Sequence, residues 1–333
     1  MNILVSGGVG FIGSHVVTEL LNAGHNAIIV DDLSNSEITT IDRIKQITGK
    51  SNILFYQEDV TNEATMKDIF SKNQIDGIIH LAGYKSVGES VSKPLLYYQN
   101  NILATIILAK MCLEFNVANF VFSSSATVYG DKLSPLREDM VLGSTTNPYG
   151  ESKVISEKIL SDLVDAHPSL KVSILRYFNP VGAHSSGLIG EKPKGIPNNL
   201  MPYITMVASG QLDQLKIFGD DYDTVDGSGV RDYIHVVDLA KGHLVALEGL
   251  KQGLSIYNLG TGRGTSVFEL VETFQRVNQV GIPYQIVERR PGDIATCYAD
   301  TSKIKNELGW EAKLSIEDMV RDSWRFFAKQ ESD

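Results

Sequence analysis

Along the first half of the chain, short apolar runs alternate with longer amphipathic stretches. The runs at 2–6, 27–30, 53–57, 77–81, 119–123 and 171–176 are rich in β-branched residues and too short for buried helices, so they predict buried strands. The stretches 14–22, 63–72, 99–116 and 149–166 carry helical spacing. Strands alternating with helices imply a parallel sheet wound on both faces through right-handed crossovers. The expected fold class is therefore α/β, a Rossmann-like doubly wound parallel sheet. After Asn179 the texture changes. Residues 180–202 hold four glycines and four prolines, and 219–229 are rich in Asp and Gly. The pattern predicts a domain over 1–179 and a smaller α/β substrate domain over 180–333, partly interleaved with the first, covering the sheet's ligand edge.

Composition narrows the function classes. The chain has 333 residues, 43% hydrophobic and 21% charged, which is ordinary globular composition. Its net charge is −10 and no Lys/Arg block stands out, so nucleic acid and anionic membrane surfaces are poor partners. No stretch reaches the roughly 18 apolar residues of a membrane helix, and the apolar run in MNILVSGG is too short for a signal peptide. With only Cys112 and Cys297, and neither CxxC nor HExxH, no disulfide framework or metal site is expected. The expectation is a cytoplasmic protein acting on a small molecule.

The first motif is Gly7-Gly8-Val9-Gly10-Phe11-Ile12-Gly13, directly between a predicted strand and a predicted helix. Gly7, Gly10 and Gly13 would allow a tight turn, let backbone N–H groups approach a pyrophosphate, and let the helix pack on the strand. Alone, such a loop is as readily a structural turn. The next strand, however, ends in Asp31-Asp32, about 20 residues on. An acid there suits a ribose 2′-hydroxyl and repels a 2′-phosphate, which favours NAD over NADP. The bland alternative for Asp31 is a solvated strand end.

Tyr149 and Lys153 form YxxxK on one predicted helix face. A tyrosine ordinarily ionises near pH 10. A neighbouring ammonium, with a nicotinamide cation beside it, favours the phenolate and prepares a general base. As a bare pattern YxxxK is more often a surface pair. What raises it is the upstream Ser123-Ser124-Ser125, hydroxyls at the carboxyl end of a parallel strand, where such sheets bind ligands. Arg231, in a Gly-rich loop, and Arg290, just before Pro291-Gly292, are fixed cations suited to a diphosphate. Surface ion pairing is the plain alternative for each. Phe218 offers either core packing or a face for a base.

The blocks GGVGFIGSH, HLAGYKSVGES, FSSSATVYGD, NPYGESK and LRYFNPVGAH resemble the extended short-chain dehydrogenase/reductase family. The further blocks GIPNNLMPYI, IFGDDYDTVDGSGVRDYIHV, YNLGTG and RRPGD resemble the UDP-glucose 4-epimerase family within it, and the matching blocks run from Met1 to about Trp310. The glycine loop departs mildly, with Val9 and Phe11 where that family often shows Ser and Tyr. The resemblance implies interconversion of UDP-galactose and UDP-glucose through a 4-keto sugar, with tightly held NAD and a homodimer. Tyr149 is implied as the base, Lys153 as its activator and a holder of the nicotinamide ribose, and Ser125 as a partner of the sugar hydroxyl. The positions implied to hold NAD include Phe11, Ile12, Asp31, Asp32, Asn35 and Ser36. Further along they include Asp59, Val60, Leu81, Ala82, Gly83, Lys85, Asn100 and Phe178. Those implied to hold the UDP-sugar are Asn179, Asn199, Leu200, Lys216, Phe218, Arg231, Arg290, Asp293 and Cys297. The helices at 99–116 and 149–166 are implied to pair with a partner's. Cys297 stands where relatives vary between a tyrosine and a smaller residue beside the sugar's C2 substituent. A cysteine there implies that UDP-N-acetylglucosamine and UDP-N-acetylgalactosamine are interconverted too.

Two rival readings have sequence discriminants. A nucleotide-sugar 4,6-dehydratase needs an added acid and base, which related enzymes place as Asp-Glu two residues after the strand-end hydroxyls. Here those positions are Ala126 and Thr127. A non-catalytic NAD-binding sensor is expected to lose YxxxK, which this chain keeps.

Overall fold

In the computed structural model, which describes residues 1–330 apart from Asn52, Ile196, Asn198 and Pro291, the apolar runs become β1 (Asn2–Ser6), β2 (Asn26–Val30), β3 (Leu54–Tyr56), β4 (Gly77–His80), β5 (Asn119–Ser125) and β6 (Lys171–Tyr177). With Gly253–Leu259 they form a seven-stranded sheet, ordered Gly253–Leu259, β6, β5, β4, β1, β2, β3. β1 pairs in parallel with both β2 and β4, and the remaining registers among the six are parallel as well. The winding reverses between β1 and β4, which makes their carboxyl ends the topological switch point where such sheets bind ligands. Gly253–Leu259 carries too little apolar contrast to be read as a strand from the sequence, and only its place beside β6 reveals it.

Three boundaries differ from the predicted ones for physical reasons. The first helix is Phe11–Asn22 and starts at the glycine loop itself, because Gly10 is its N-cap. β5 runs two residues further, since Ser124 and Ser125 stay in register with Arg176 and Tyr177 of β6. The predicted 99–116 helix is a π turn, Tyr98–Ile102, followed by an α-helix, Leu103–Glu114. In the widened turn Asn101 bonds both the N–H and the C=O of Tyr84, at 2.9 and 3.1 Å.

Two compact units emerge. The first comprises 1–130, 141–177 and 240–257; the second comprises 131–140, 178–239 and 258–333. Where the change in texture suggested a division at 179/180, the units exchange two segments, 131–140 and 240–257. The first core packs Leu4, Ile78, Phe120 and Phe122 of the sheet against Ile107, Leu108 and Met111 of Leu103–Glu114 and Leu160 of Pro148–Ala166. The second unit is built on short strand pairs. Leu215–Phe218 pairs with Tyr284–Val287 and Asn179–Val181 with Tyr233–His235, while Val230–Arg231 lies between Thr265–Ser266 and Thr296–Cys297. Leu200–Ala208, Val267–Asn278 and Ile316–Gln330 supply its core through Ile204, Phe274 and Val320. Among the described residues no helix is long and apolar enough to cross a membrane.

Candidate active site

The glycine loop is as tight as its composition demands. Gly7 has φ +73°, and a Cβ on it would stand 2.8 Å from the Ala82 nitrogen, just past the end of β4 across the switch point. A Cβ on Gly13 would stand 2.0 Å from the Gly7 carbonyl oxygen. Both clashes are with backbone, so no side chain fits at either place. No side chain caps the helix that follows. Its first N–H groups and the positive end of its dipole are the donors an anion needs. Asp31 is buried at 7% exposure, so it is not a solvated strand end. Its carboxylate accepts from the Val9 N–H at 3.0 Å, the Leu33 N–H at 3.0 Å and the Ser36 hydroxyl at 2.8 Å. The acid thus pins the glycine loop to the end of β2. These features fit a dinucleotide: a backbone cradle at the switch point, an uncapped helix start, and one acid anchored beside them.

The remaining positions implied for the cofactor scatter over the strand ends of this unit. Asp59 turns its carboxylate on the Thr61 N–H and hydroxyl, both at 2.7 Å, with Val60 buried after it. Asp32 accepts from the Ser34 N–H at 2.9 Å. Leu81, Ala82 and Gly83 follow β4 directly, and Asn100 lies in the π turn, donating to Asn101 Oδ1 at 3.1 Å. Asn35 and Lys85 are exposed. Phe178 is buried and belongs to the second unit.

Pro148–Ala166 is started by Asn147, whose side chain accepts from the Gly150 N–H at 2.9 Å, with Pro148 at its first position. The helix therefore carries Tyr149 in its first turn and Lys153 one turn on. Lys153 is buried and donates to the Ser123 carbonyl at 2.7 Å, with its ammonium 4.9 Å from the centre of the Phe122 ring. Burial lowers its pKa to about 8, against the opposing charge of Glu157. Ser125 closes the turn that follows β5. Its oxygen accepts from the Thr127 N–H at 3.2 Å and the Thr127 hydroxyl at 2.9 Å. With those bonds received, its own proton is directed to the Tyr149 phenol, whose charged form that hydrogen bond favours. Burial nevertheless raises the Tyr149 pKa, with Ser125 and the Lys85 charge pulling the other way. In the protein alone the phenol therefore stays above its ordinary value.

The second unit gathers the other cations. Arg231 is half-buried and donates to the carbonyls of Val230 at 2.8 Å and Ala295 at 3.4 Å, and among the described residues it makes no ion pair. Arg290 is exposed and does pair with Asp293, at 3.0 Å. Its guanidinium also stands 4.8 Å from the Phe218 ring, occupying a face that the sequence offered to a base. Cys297 is half-buried and in register with Arg231 across a strand pair. Burial raises its thiol pKa to about 11. Asn199 caps no N–H with its side chain; it donates to Glu191 at 2.7 Å just before Leu200. Lys216 is exposed on the strand that Phe218 ends, and Asn179 opens the strand that pairs with Tyr233–His235.

Sequence reasoning missed the polar groups beneath this surface. Glu157, on the same helix as Tyr149, forms a buried pair with Arg176 at 3.0 and 2.7 Å and accepts from the Ser124 hydroxyl. His80 joins β4 to β1 and to the helix Leu103–Glu114. For Arg176 and His80 the visible signal was an ionisable residue within an apolar run; Glu157, between Ser156 and Lys158, gave none.

A dinucleotide cradle and a Tyr-Lys-Ser group on one parallel sheet define a short-chain dehydrogenase/reductase type of site. The comparisons specify it further. A model of the family described as GDP-mannose 4,6 dehydratase matches residues 4–323. The UDP-glucose 4-epimerase of Pasteurella multocida (strain Pm70) is 55% identical over 332 residues, covering 99% of this chain and 98% of that protein. That of Haemophilus influenzae is 56% identical over 329 residues, with 98% and 97% covered. The crystal structure of UDP-glucose 4-epimerase from Bifidobacterium longum in complex with NAD+ and UDP superposes with a TM-score of 0.96 at 52% identity, covering 99% of both chains. The chain belongs to the UDP-glucose 4-epimerase family.

Proposed function

We propose that the protein is an NAD-dependent isomerase that interconverts UDP-galactose and UDP-glucose by inverting the sugar's C4. The observation that carries this reading is the Tyr149–Ser125–Lys153 group at the carboxyl ends of the same sheet as the glycine loop, within a family of that activity at this level of identity. The glycine loop, Asp31, Lys153 and the other cofactor positions named above would hold NAD, which would supply a hydride acceptor for C4. Tyr149 accepts the 4-hydroxyl proton and gives it back to the 4-keto oxygen as the hydride returns, and Ser125 steadies that oxygen. The Lys153 ammonium favours the phenolate. Arg231 and Arg290 hold the diphosphate while the 4-keto sugar, held less firmly, turns its other face. Binding energy concentrated on the nucleotide leaves the sugar free to rotate. On this reading Arg290 exchanges Asp293 for phosphate.

The dehydratase named by the family's description is disfavoured by chemistry. Ala126 cannot titrate, and the Thr127 hydroxyl is spent on Ser125. The small Cys297 side chain supports turnover of the N-acetylated sugars as well. A homodimer in the cytoplasm completes the proposal, with no nucleic acid or membrane partner. The test is incubation of the purified protein with UDP-galactose and no added NAD, read by NMR. Wild type is expected to form UDP-glucose. Tyr149→Phe is expected to keep its bound NAD and lose several orders of magnitude in turnover. No conversion by wild type, or near-normal turnover in the variant, contradicts the reading.

A further inference from the structure

His80 ends β4 in direct register with Ser6, the last residue of β1, at the switch point. It is 2% exposed, and both ring nitrogens are engaged. Nδ1 lies 2.8 Å from Ser6 Oγ, and Nε2 lies 3.3 Å from Thr105 Oγ1. Ser6 Oγ also accepts from the Leu81 and Ala82 N–H groups, at 3.2 and 3.4 Å. Thr105 Oγ1 lies 3.0 Å from the Asn101 carbonyl and 3.2 Å from Ser156 Oγ, one turn beyond Lys153. The bonds therefore run from the backbone beside Gly7, through the imidazole, to the helix that carries Tyr149 and Lys153.

The proton count gives this chain a direction. Ser6 Oγ receives backbone N–H groups, so its own proton goes to His80 Nδ1. Nε2 then carries the ring proton and donates to Thr105, whose hydroxyl proton is shared between the Asn101 carbonyl and Ser156 Oγ. Every proton has an acceptor when the imidazole is neutral and protonated at Nε2. A cationic ring would present a donor to a hydroxyl that is already giving its proton. The surroundings enforce neutrality, since burial and then the Lys153 charge lower the His80 pKa to about 3. The ring also leans on Phe122, centroids 5.6 Å apart, and Phe122 is the face over which the Lys153 ammonium stands.

We propose that His80 is a positioning residue for the epimerase reaction: a neutral, Nε2-protonated crossbar that fixes the Tyr149–Lys153 helix against the cofactor loop. The inference rests on the functional reading above. It differs from a packing role in needing both ring nitrogens, because an apolar ring of similar size keeps the Phe122 contact and breaks both links. Loss of the links shifts the helix relative to the loop while leaving the nucleotide contacts of the second unit in place.

The test combines kinetics with a spectroscopic reading on the NAD-loaded enzyme. His80→Phe is expected to lower kcat for UDP-galactose by about one to two orders of magnitude, with KM changed less than about twofold and bound NAD retained. His80→Gln, which accepts through one end and donates through the other, is expected to recover most of the loss. Should His80→Phe not fold, Thr105→Val, which breaks one link only, is expected to show the same kcat-selective loss. In wild type, ring ¹⁵N shifts are expected to report the neutral Nε2–H tautomer at pH 7, a reading that does not depend on turnover. Either a cationic or Nδ1–H ring, an unchanged kcat in both the His80→Phe and Thr105→Val variants, or a loss that falls on KM overturns the proposal. Absence of epimerase activity in wild type with the expected tautomer overturns the functional reading instead.

Discussion

Cys297 is the residue whose size matters most to the proposed chemistry. Its thiol is held protonated by burial, with a pKa raised to about 11, so it offers a small uncharged surface next to Arg231. On the proposed reading a tyrosine there would add several heavy atoms beside the sugar's C2 substituent. Overpacking of this kind costs about 1–3 kcal/mol, enough for tenfold discrimination or more. Wild type is accordingly expected to epimerise both UDP-galactose and UDP-N-acetylgalactosamine. Cys297→Tyr is expected to keep the first activity and lose most of the second. A wild type without N-acetyl activity, or a tyrosine variant that retains it in full, removes the gate. At this scale the legible residues were those with local spacing. Tyr149 and Lys153 are four apart, Gly7 to Gly13 are contiguous, and Asp31 follows at a set distance. His80 was not legible, because its partners Ser6 and Thr105 lie 74 and 25 positions away and meet it only through strand register and helix packing.

Among the elements, the helices Leu103–Glu114 and Pro148–Ala166 divide their apolar residues between two duties. Ile107, Leu108 and Met111 face their own sheet. Ile102, Ile106, Ile155 and Ile159 remain half-buried, and Val91 and Leu95 on the short preceding helices are 63% and 78% exposed. Apolar side chains left in solvent on adjoining helices of one unit support burial against a second copy. Light scattering at micromolar concentration is expected to give twice the chain mass, and the mass of one chain contradicts the dimer. Strand and helix identities were readable here because period and length separate them cleanly. The π turn at Tyr98–Ile102 was not, because it answers to Asn101 reaching Tyr84, a contact no local pattern encodes.

For the molecule as a whole, the charge pattern and the fold point the same way. A chain of net charge −10 places Lys85 and Lys153 near one set of strand ends in the first unit and Arg231 and Arg290 on the loops and short strands of the second. Those local cations are what an anionic nucleotide sugar needs against an unfavourable overall field. The parallel sheet and its switch point followed from alternating runs and right-handed crossovers. Partial interleaving was expected, but not which segments exchange, 131–140 and 240–257, because texture along a chain marks loops rather than which core a segment joins. The central claim is that C4 is inverted by removing its hydrogen as hydride and returning that same hydrogen. UDP-galactose deuterated at C4, turned over in ordinary water without added NAD, tests it directly. The account predicts UDP-glucose that retains the deuterium at C4 with unchanged mass. Deuterium lost to solvent, or a product lighter by one water, contradicts it.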